Sequence, residues 1–299
     1  MSHDTAIRAH GLVEELRAEV DFEIDDVIAN IIRNLPEEYF RSLAHEVQLT
    51  HLKALLAISI CNLKRELTLR SDDNRHVAVI ARQNYPGLLA KIIAGLPDEQ
   101  PLIGAKIFTS ITHDFIIDLF EFKPSSLNEQ PDGPSQLEKD DTVEMVARLT
   151  GESIETVTEF VAAYPPGSRV LASPEEVHEH YLAFREARSS NDIAVRWVKQ
   201  NSTTEGGTDE PLPITKITVS ASKFRARDLF QATAEFLSQQ DGDIEQAFLD
   251  DFPLNEQNHI AISSFVVSGR LKFDSLDPAA DLANFLRDND MASIVDRWR

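Results

Sequence analysis

Apolar positions in the first sixty residues recur at helical spacing. His10–Glu19 carries Leu12, Val13 and Leu16, with Val20 next; Phe22–Leu35 carries Ile24, Val27, Ile28, Ile31 and Ile32. Ser42–Cys61 is the strongest pattern, with Leu43, Val47, Leu49, Leu52, Leu55, Leu56 and Ile60 mostly three or four apart. Pro36 follows Leu35, and a residue ahead of proline resists the α region, so a break is expected there. The period then changes. Glu66–Arg70 alternates as a half-buried strand does, Ser71-Asp72-Asp73-Asn74 is a polar turn cluster, and His76–Ala81 is a second strand. Pro86-Gly87 punctuates, Leu88–Leu96 reads as a helix, and Leu102–Ser110 and Asp114–Phe122 read as strands.

Residues 124–141 are rich in Pro, Ser, Asp and Glu and poor in apolar side chains, which reads as a linker or long loop. Helical patterns follow at Asp140–Thr150, Ser153–Ala163 and Ser173–Arg188, the last opened by Ser173-Pro174-Glu175-Glu176, a capping-box start. The strand period returns at Ile193–Val198, then Gln200–Pro213 reads as a loop, Ile214–Val219 as a strand, Phe224–Gln239 as a helix, and Ile244–Phe252 and His259–Val267 as strands. Strand, strand, helix, strand, strand therefore occurs twice, about 140 residues apart in the sequence rows, as a repeat of pattern and not of letters. The expected fold is α+β: N-terminal helices (1–62), a ββαββ unit (63–123), a linker (124–141), a small helical segment (142–189), a second ββαββ unit (190–270) and a helical tail (271–299). Such a unit covers one face of an antiparallel sheet with its helix, the ferredoxin-like solution, and leaves edge strands that can pair with another copy.

Composition narrows the function classes. The net charge is −21, which works against phosphate backbones and anionic membrane surfaces, so neither nucleic acid nor membrane is expected as a partner. One cysteine, Cys61, rules out an internal disulfide framework. With no signal-peptide pattern at Met1–Asp4 and no long apolar run, the expected location is the cytoplasm.

His76–Phe122 resembles an ACT domain, the small amino-acid-sensing module of metabolic enzymes. The strand His76-Val77-Ala78-Val79-Ile80, the turn Asn84-Tyr85-Pro86-Gly87-Leu88-Leu89 and the two strands behind it carry the likeness. Glu38-Tyr39-Phe40, Thr50-His51-Leu52-Lys53-Ala54, Glu66–Ser71, Pro86–Ala90 and Ala105-Lys106-Ile107-Phe108-Thr109-Ser110 look like the amino-terminal region of large bacterial NAD-specific glutamate dehydrogenases. The resemblance spans roughly 36–123, and 190–270 follows by pattern alone, as a degenerate second ACT-like unit. It implies a regulatory and assembly region whose parent enzyme converts glutamate to 2-oxoglutarate and ammonia with NAD through a catalytic domain further along the polypeptide, under allosteric control by an amino acid. The alternative it leaves open is a free-standing ACT-type amino-acid-binding or protein-interaction module. This chain has no G-x-G-x-x-G cradle, so no catalytic or NAD-binding residue is carried over, and no cofactor is expected in it. A symmetric homo-oligomer is expected.

The candidate effector site is the turn Asn84, Tyr85, Pro86, Gly87 and Leu88. Gly87 has no Cβ and admits close approach, and the helix behind it begins with free N–H groups that suit a carboxylate. The plainer reading is a strand-to-helix turn punctuated by Pro-Gly. In the second unit, Lys223, Arg225 and Arg227 read as a solvated basic face more readily than as an anion site. His178 and His180 are two apart on a helix and face different ways, so no metal site is expected. Cys61 reads as a buried structural thiol, and Asp25-Asp26, Asp72-Asp73, Asp140-Asp141 and Asp250-Asp251 as turns, caps and solvated faces.

Overall fold

A computed structural model describes residues 10–16, 25–61, 66–71, 75–98, 100–112, 114–123, 136–162, 174–190, 192–200, 213–222, 224–254, 259–269, 271–273 and 276–288. Among these the chain is mixed α and β. The helices are α1 (10–16), α2 (Asp25–Asn34), α3 (Glu37–Ser42), α4 (His45–Cys61), α5 (Leu88–Ala94), α6 (Gln136–Thr150), α7 (Ile154–Ala162), α8 (Pro174–Ser190), α9 (Ala226–Gln239) and α10 (Pro278–Asp288). The strands are β1 (Glu66–Arg70), β2 (His76–Arg82), β3 (Leu102–Thr109), β4 (Phe115–Phe122), β5 (Ile193–Gln200), β6 (Ile214–Ala221), β7 (Asp243–Pro253) and β8 (His259–Ser268). They form one eight-stranded antiparallel sheet in the order β1-β2-β4-β3-β7-β8-β6-β5. The sequence led us to expect two sheets. Strands β3 and β7, each the inner edge of its own ββαββ run, are instead neighbours, so the order reads the same from either end once the runs are superposed.

The chain divides into two compact units, Met1–Asn84 with Ile107–Leu119, and Tyr85–Lys106 with Phe120–Arg299. In the first, β1 pairs with β2 in the register Glu66↔Ala81 to Arg70↔Val77. Strand β2 is buried from Val77 to Ala81, and β1 alternates between exposed and half-buried residues, as the outermost strand should. Helix α4 packs on these strands and on α2. Pro36 breaks the helical run as expected (ψ 148°), and a short helix, α3, which periodicity did not reveal, intervenes before α4.

In the second unit, β5, β6, β8 and β7 pair in fixed antiparallel register, with one irregularity between Ile244 and Gln246. Successive strand residues face opposite ways, so this part of the sheet has two apolar faces. On one, Phe252, Ile260 and Ile262 pack with Val146, Phe160, Val177, Tyr181 and Phe184 of α6–α8. On the other, Phe265 stacks on Phe230 of α9 (5.2 Å), and Phe285 of α10 meets Phe236 (5.2 Å). The helical segment expected to separate the two β-rich runs thus packs against the sheet. Its first helix begins at Gln136, within the stretch read as linker, while 124–135 lie outside the described residues. Ser173, Lys223, most of the 200–213 loop, the turn residues 72–74 and the tail beyond 288 also lie outside them. No helix among the described residues is long and apolar enough to cross a membrane.

Candidate functional site

The turn singled out in the sequence joins β2 to α5. Asn84 Nδ2 donates to Thr109 Oγ1 (3.3 Å), and Leu88 N–H donates to the Tyr85 carbonyl (3.1 Å). Tyr85 is 45% exposed, and the Lys91 ammonium lies 5.0 Å from its ring centroid. Gly87 stands at φ +86°, a left-handed conformation that side chains resist. A Cβ there would lie 3.0 Å from Ser238 Oγ near the end of α9. The close approach that glycine permits is therefore taken by the protein's own α9. Helix α5 is only seven residues long, with Leu88, Leu89 and Ile93 buried.

In the basic turn of the second run Arg225 is exposed and Arg227 is buried, while Lys223 lies outside the described residues. Arg225 chelates Asp228 with both carboxylate oxygens (2.6 and 2.9 Å). Arg227 is buried and donates to the carbonyls of Ile93 (2.7 Å), Leu96 (3.0 Å) and Pro97 (2.9 Å), with Asp98 Oδ1 at 2.7 Å. These carbonyls end α5 and its following turn, so Arg227 supplies donors that a helix C-terminus lacks. With Gly87 against Ser238 at one end and Arg227 against Ile93–Pro97 at the other, α5 and α9 lie antiparallel.

His178 and His180 do diverge: His178 is half-buried and His180 buried. His180 Nε2 is 3.0 Å from Ser264 Oγ, and its Nδ1 is 3.9 Å from Asp250 Oδ2. Asp250 was read as a surface carboxylate, and the structure corrects this, since it is 6% exposed; Asp251 binds His259 Nδ1 (2.6 Å), an interaction that raises the His259 pKa. Serine, histidine and aspartate in a line invite comparison with a hydrolytic triad. Here Ser264 lies under α8 in a central strand at 6% exposure, so no acyl group reaches it while α8 stays in place. The line fastens α8 to the sheet, together with the bond from Ser220 Oγ to the Ala183 carbonyl (2.9 Å). Among the described residues no three His, Cys, Asp or Glu side chains gather as metal ligands. Cys61 closes α4, and its side chain is outside the described set.

Three of the motifs that carry the family likeness, those around Tyr39, His51 and Phe108, meet in the first unit. Tyr39 meets Phe40 and Phe108 edge-on (5.3 and 5.4 Å), and its hydroxyl lies 3.3 Å from both the Gln48 carbonyl and His51 Nδ1. Gln48 Nε2 donates to the carbonyls of Tyr39, Phe40 and Leu43, the end of α3. Burial pushes the Tyr39 hydroxyl pKa up and the His51 pKa down to about 4. These residues make a packed polar core and present nothing to a ligand. No protein-family model matches the chain, and no curated protein matches it significantly.

Proposed function

We propose that this chain is a regulatory and assembly region of the kind its sequence resembles: two ACT-like ββαββ modules, belonging to an NAD-specific glutamate dehydrogenase whose chemistry resides in another part of the polypeptide. The observation that carries the proposal is the strand order, in which two like-ordered runs meet through β3 and β7. The antiparallel pair α5 and α9, braced by Arg227, adds to it. Two small modules joined this way share one sheet, through which effector binding acts. In this reading an amino-acid effector contacts the turn Asn84–Leu88, of which Tyr85 is the exposed residue. The chain carries no NAD and turns over no glutamate by itself, and it works as a homo-oligomer beside a catalytic domain in the cytoplasm.

The test is a thermal-shift screen with the common amino acids, 2-oxoglutarate and NAD. A ligand of the folded state at about 100 times its dissociation constant stabilises it by roughly 2.7 kcal/mol. The expected result is a shift with an amino acid and none with NAD. Silence with every amino acid removes effector binding, and a monomer in sedimentation at tens of micromolar removes self-assembly.

A further inference from the structure

The sheet ends at β1 on one side and at β5 on the other. Ser71 N–H donates to the His76 carbonyl (3.0 Å), and the register that sets Arg70 against Val77 carries one step on to this pair. Hydrogen-bonded pairs alternate along an antiparallel ladder, so Leu69 with Ala78 and Leu67 with Ile80 are the bonded pairs of β1 and β2. The backbone N–H and C=O groups of Glu66, Thr68 and Arg70 therefore point away from β2, at the outer edge of the sheet. These three residues are exposed and their side chains share one face, while Leu67 and Leu69 are half-buried on the other. Among the described residues no hydrogen bond or ion pair occupies the Glu66 or Arg70 side chain.

We propose that β1 pairs antiparallel with β1 of a second copy of this chain, across a two-fold axis at Thr68. In that register Thr68 faces the partner's Thr68, Glu66 faces the partner's Arg70, and Leu67 faces the partner's Leu69, each contact being repeated by symmetry. Outward residues 66, 68 and 70 then meet 70, 68 and 66, so every outward N–H finds an outward C=O. Two opposite-charge pairs and a Thr–Thr pair are cross-strand contacts that stabilise a sheet, and the leucines continue its half-buried face. Sliding the partner by one residue sets outward backbone groups against inward ones, and sliding it by two separates both charge pairs. The other edge has no such self-complementarity. Strand β5 carries Arg196 and Lys199 and no acid, so no register of β5 on itself pairs opposite charges. Arg196 is moreover held by Glu179 (3.0 Å) and Glu186 (3.2 Å) of its own chain. Bases alone on an edge discourage pairing. The inference deepens the homo-oligomer part of the reading above, on which it rests for self-association alone, and names the surface that carries it.

Sedimentation velocity of the 299-residue chain at tens of micromolar tests it, with three variants whose thermal melts check that they fold. A five-residue strand makes a small interface, so the native chain should form a reversible dimer. Thr68→Pro removes an outward N–H and no bond to β2, so it should fold and be monomeric. Glu66→Arg or Arg70→Glu alone sets like charges opposite each other twice per dimer and should weaken association by about tenfold or more. Mixing these two variants makes both contacts complementary again in a heterodimer, and association should return to the native level. A dimer that survives Thr68→Pro would overturn the proposal and assign self-assembly to another surface, with the wider reading standing. Charge variants that stay apart on mixing, or that associate singly as the native chain does, would also overturn it. A native chain that is monomeric throughout would remove this inference and self-assembly together.

Discussion

Asp118 sits in β4 at 1% exposure, and neither of its carboxylate oxygens has a hydrogen-bond partner. Burial, and secondarily the charge of Glu66, push its pKa well above the ordinary carboxylate range. A folded-state pKa raised in this way favours the fold below the unfolded value and erodes it as pH rises toward the folded one. Replacing Asp118 by valine, which suits a buried strand, should therefore stabilise the protein near neutral pH by roughly 1–3 kcal/mol, an advantage that shrinks toward pH 4. Urea midpoints at pH 7.5 and pH 4 measure it, and a less stable variant at pH 7.5 would mean that the carboxylate has a role these contacts do not reveal. His51 has the opposite sign. Its folded pKa, about 4, lies below the ordinary histidine value of 6.5, so the unfolded chain takes up a proton first as pH falls. Stability should drop between pH 6.5 and pH 4 by an amount of order 3 kcal/mol from this group alone. His51→Gln should flatten that part of the pH profile of the urea midpoint; an unchanged slope would assign the acid sensitivity to other groups.

Helix α5, at seven residues, is too short to hold itself together and depends on its packing. Arg227 supplies what its C-terminus needs. Arg227→Met keeps much of the apolar stem but strands the carbonyls of Ile93, Leu96 and Pro97, and should cost roughly 2–4 kcal/mol. Arg227→Lys should recover little of it, because one ammonium does not reproduce a planar fork reaching three acceptors. A thermal melt of both variants decides, and a lysine variant as stable as the native chain would reduce the brace to a simple charge contact. This arginine also marks where the sequence stops being legible. Strand positions came within about two residues from alternation and β-branched content, since both are local properties. Arg227 and Asp250 read as surface groups because their partners lie far along the chain, and the partner of His180, Ser264, is 84 residues away. The joining of β3 to β7 is equally non-local, and a strand edge carries no letter that names its neighbour. The family-like motifs could be read but not placed: Tyr39, His51 and Phe108 turn out to be core.

Across the whole chain, 50 acidic side chains face 29 basic ones. Several bases are already paired on the surface, as Arg185 with Glu152, Arg188 with Glu159 and Arg225 with Asp228. Exposed pairs of this kind contribute little each, about 0–1 kcal/mol, and salt weakens them. Repulsion among the surplus carboxylates acts over longer distances and opposes the compact state. Screening at about 0.1 M salt limits charge interactions to roughly 10 Å, so it removes the many distant repulsions before the few close attractions. The melting temperature should therefore rise by roughly 2–5 °C between about 20 mM and about 500 mM sodium chloride. The measurement belongs at pH 7.5, above the window in which His51 protonates, so that only screening changes. Variants Glu152→Gln and Glu159→Gln, each removing one carboxylate and one ion pair, should be near neutral at low salt if surplus repulsion outweighs pairing. A melting temperature that falls with salt, together with a clear loss in both variants, would show that the surface pairs dominate and that the −21 charge is spread too thinly to strain the fold.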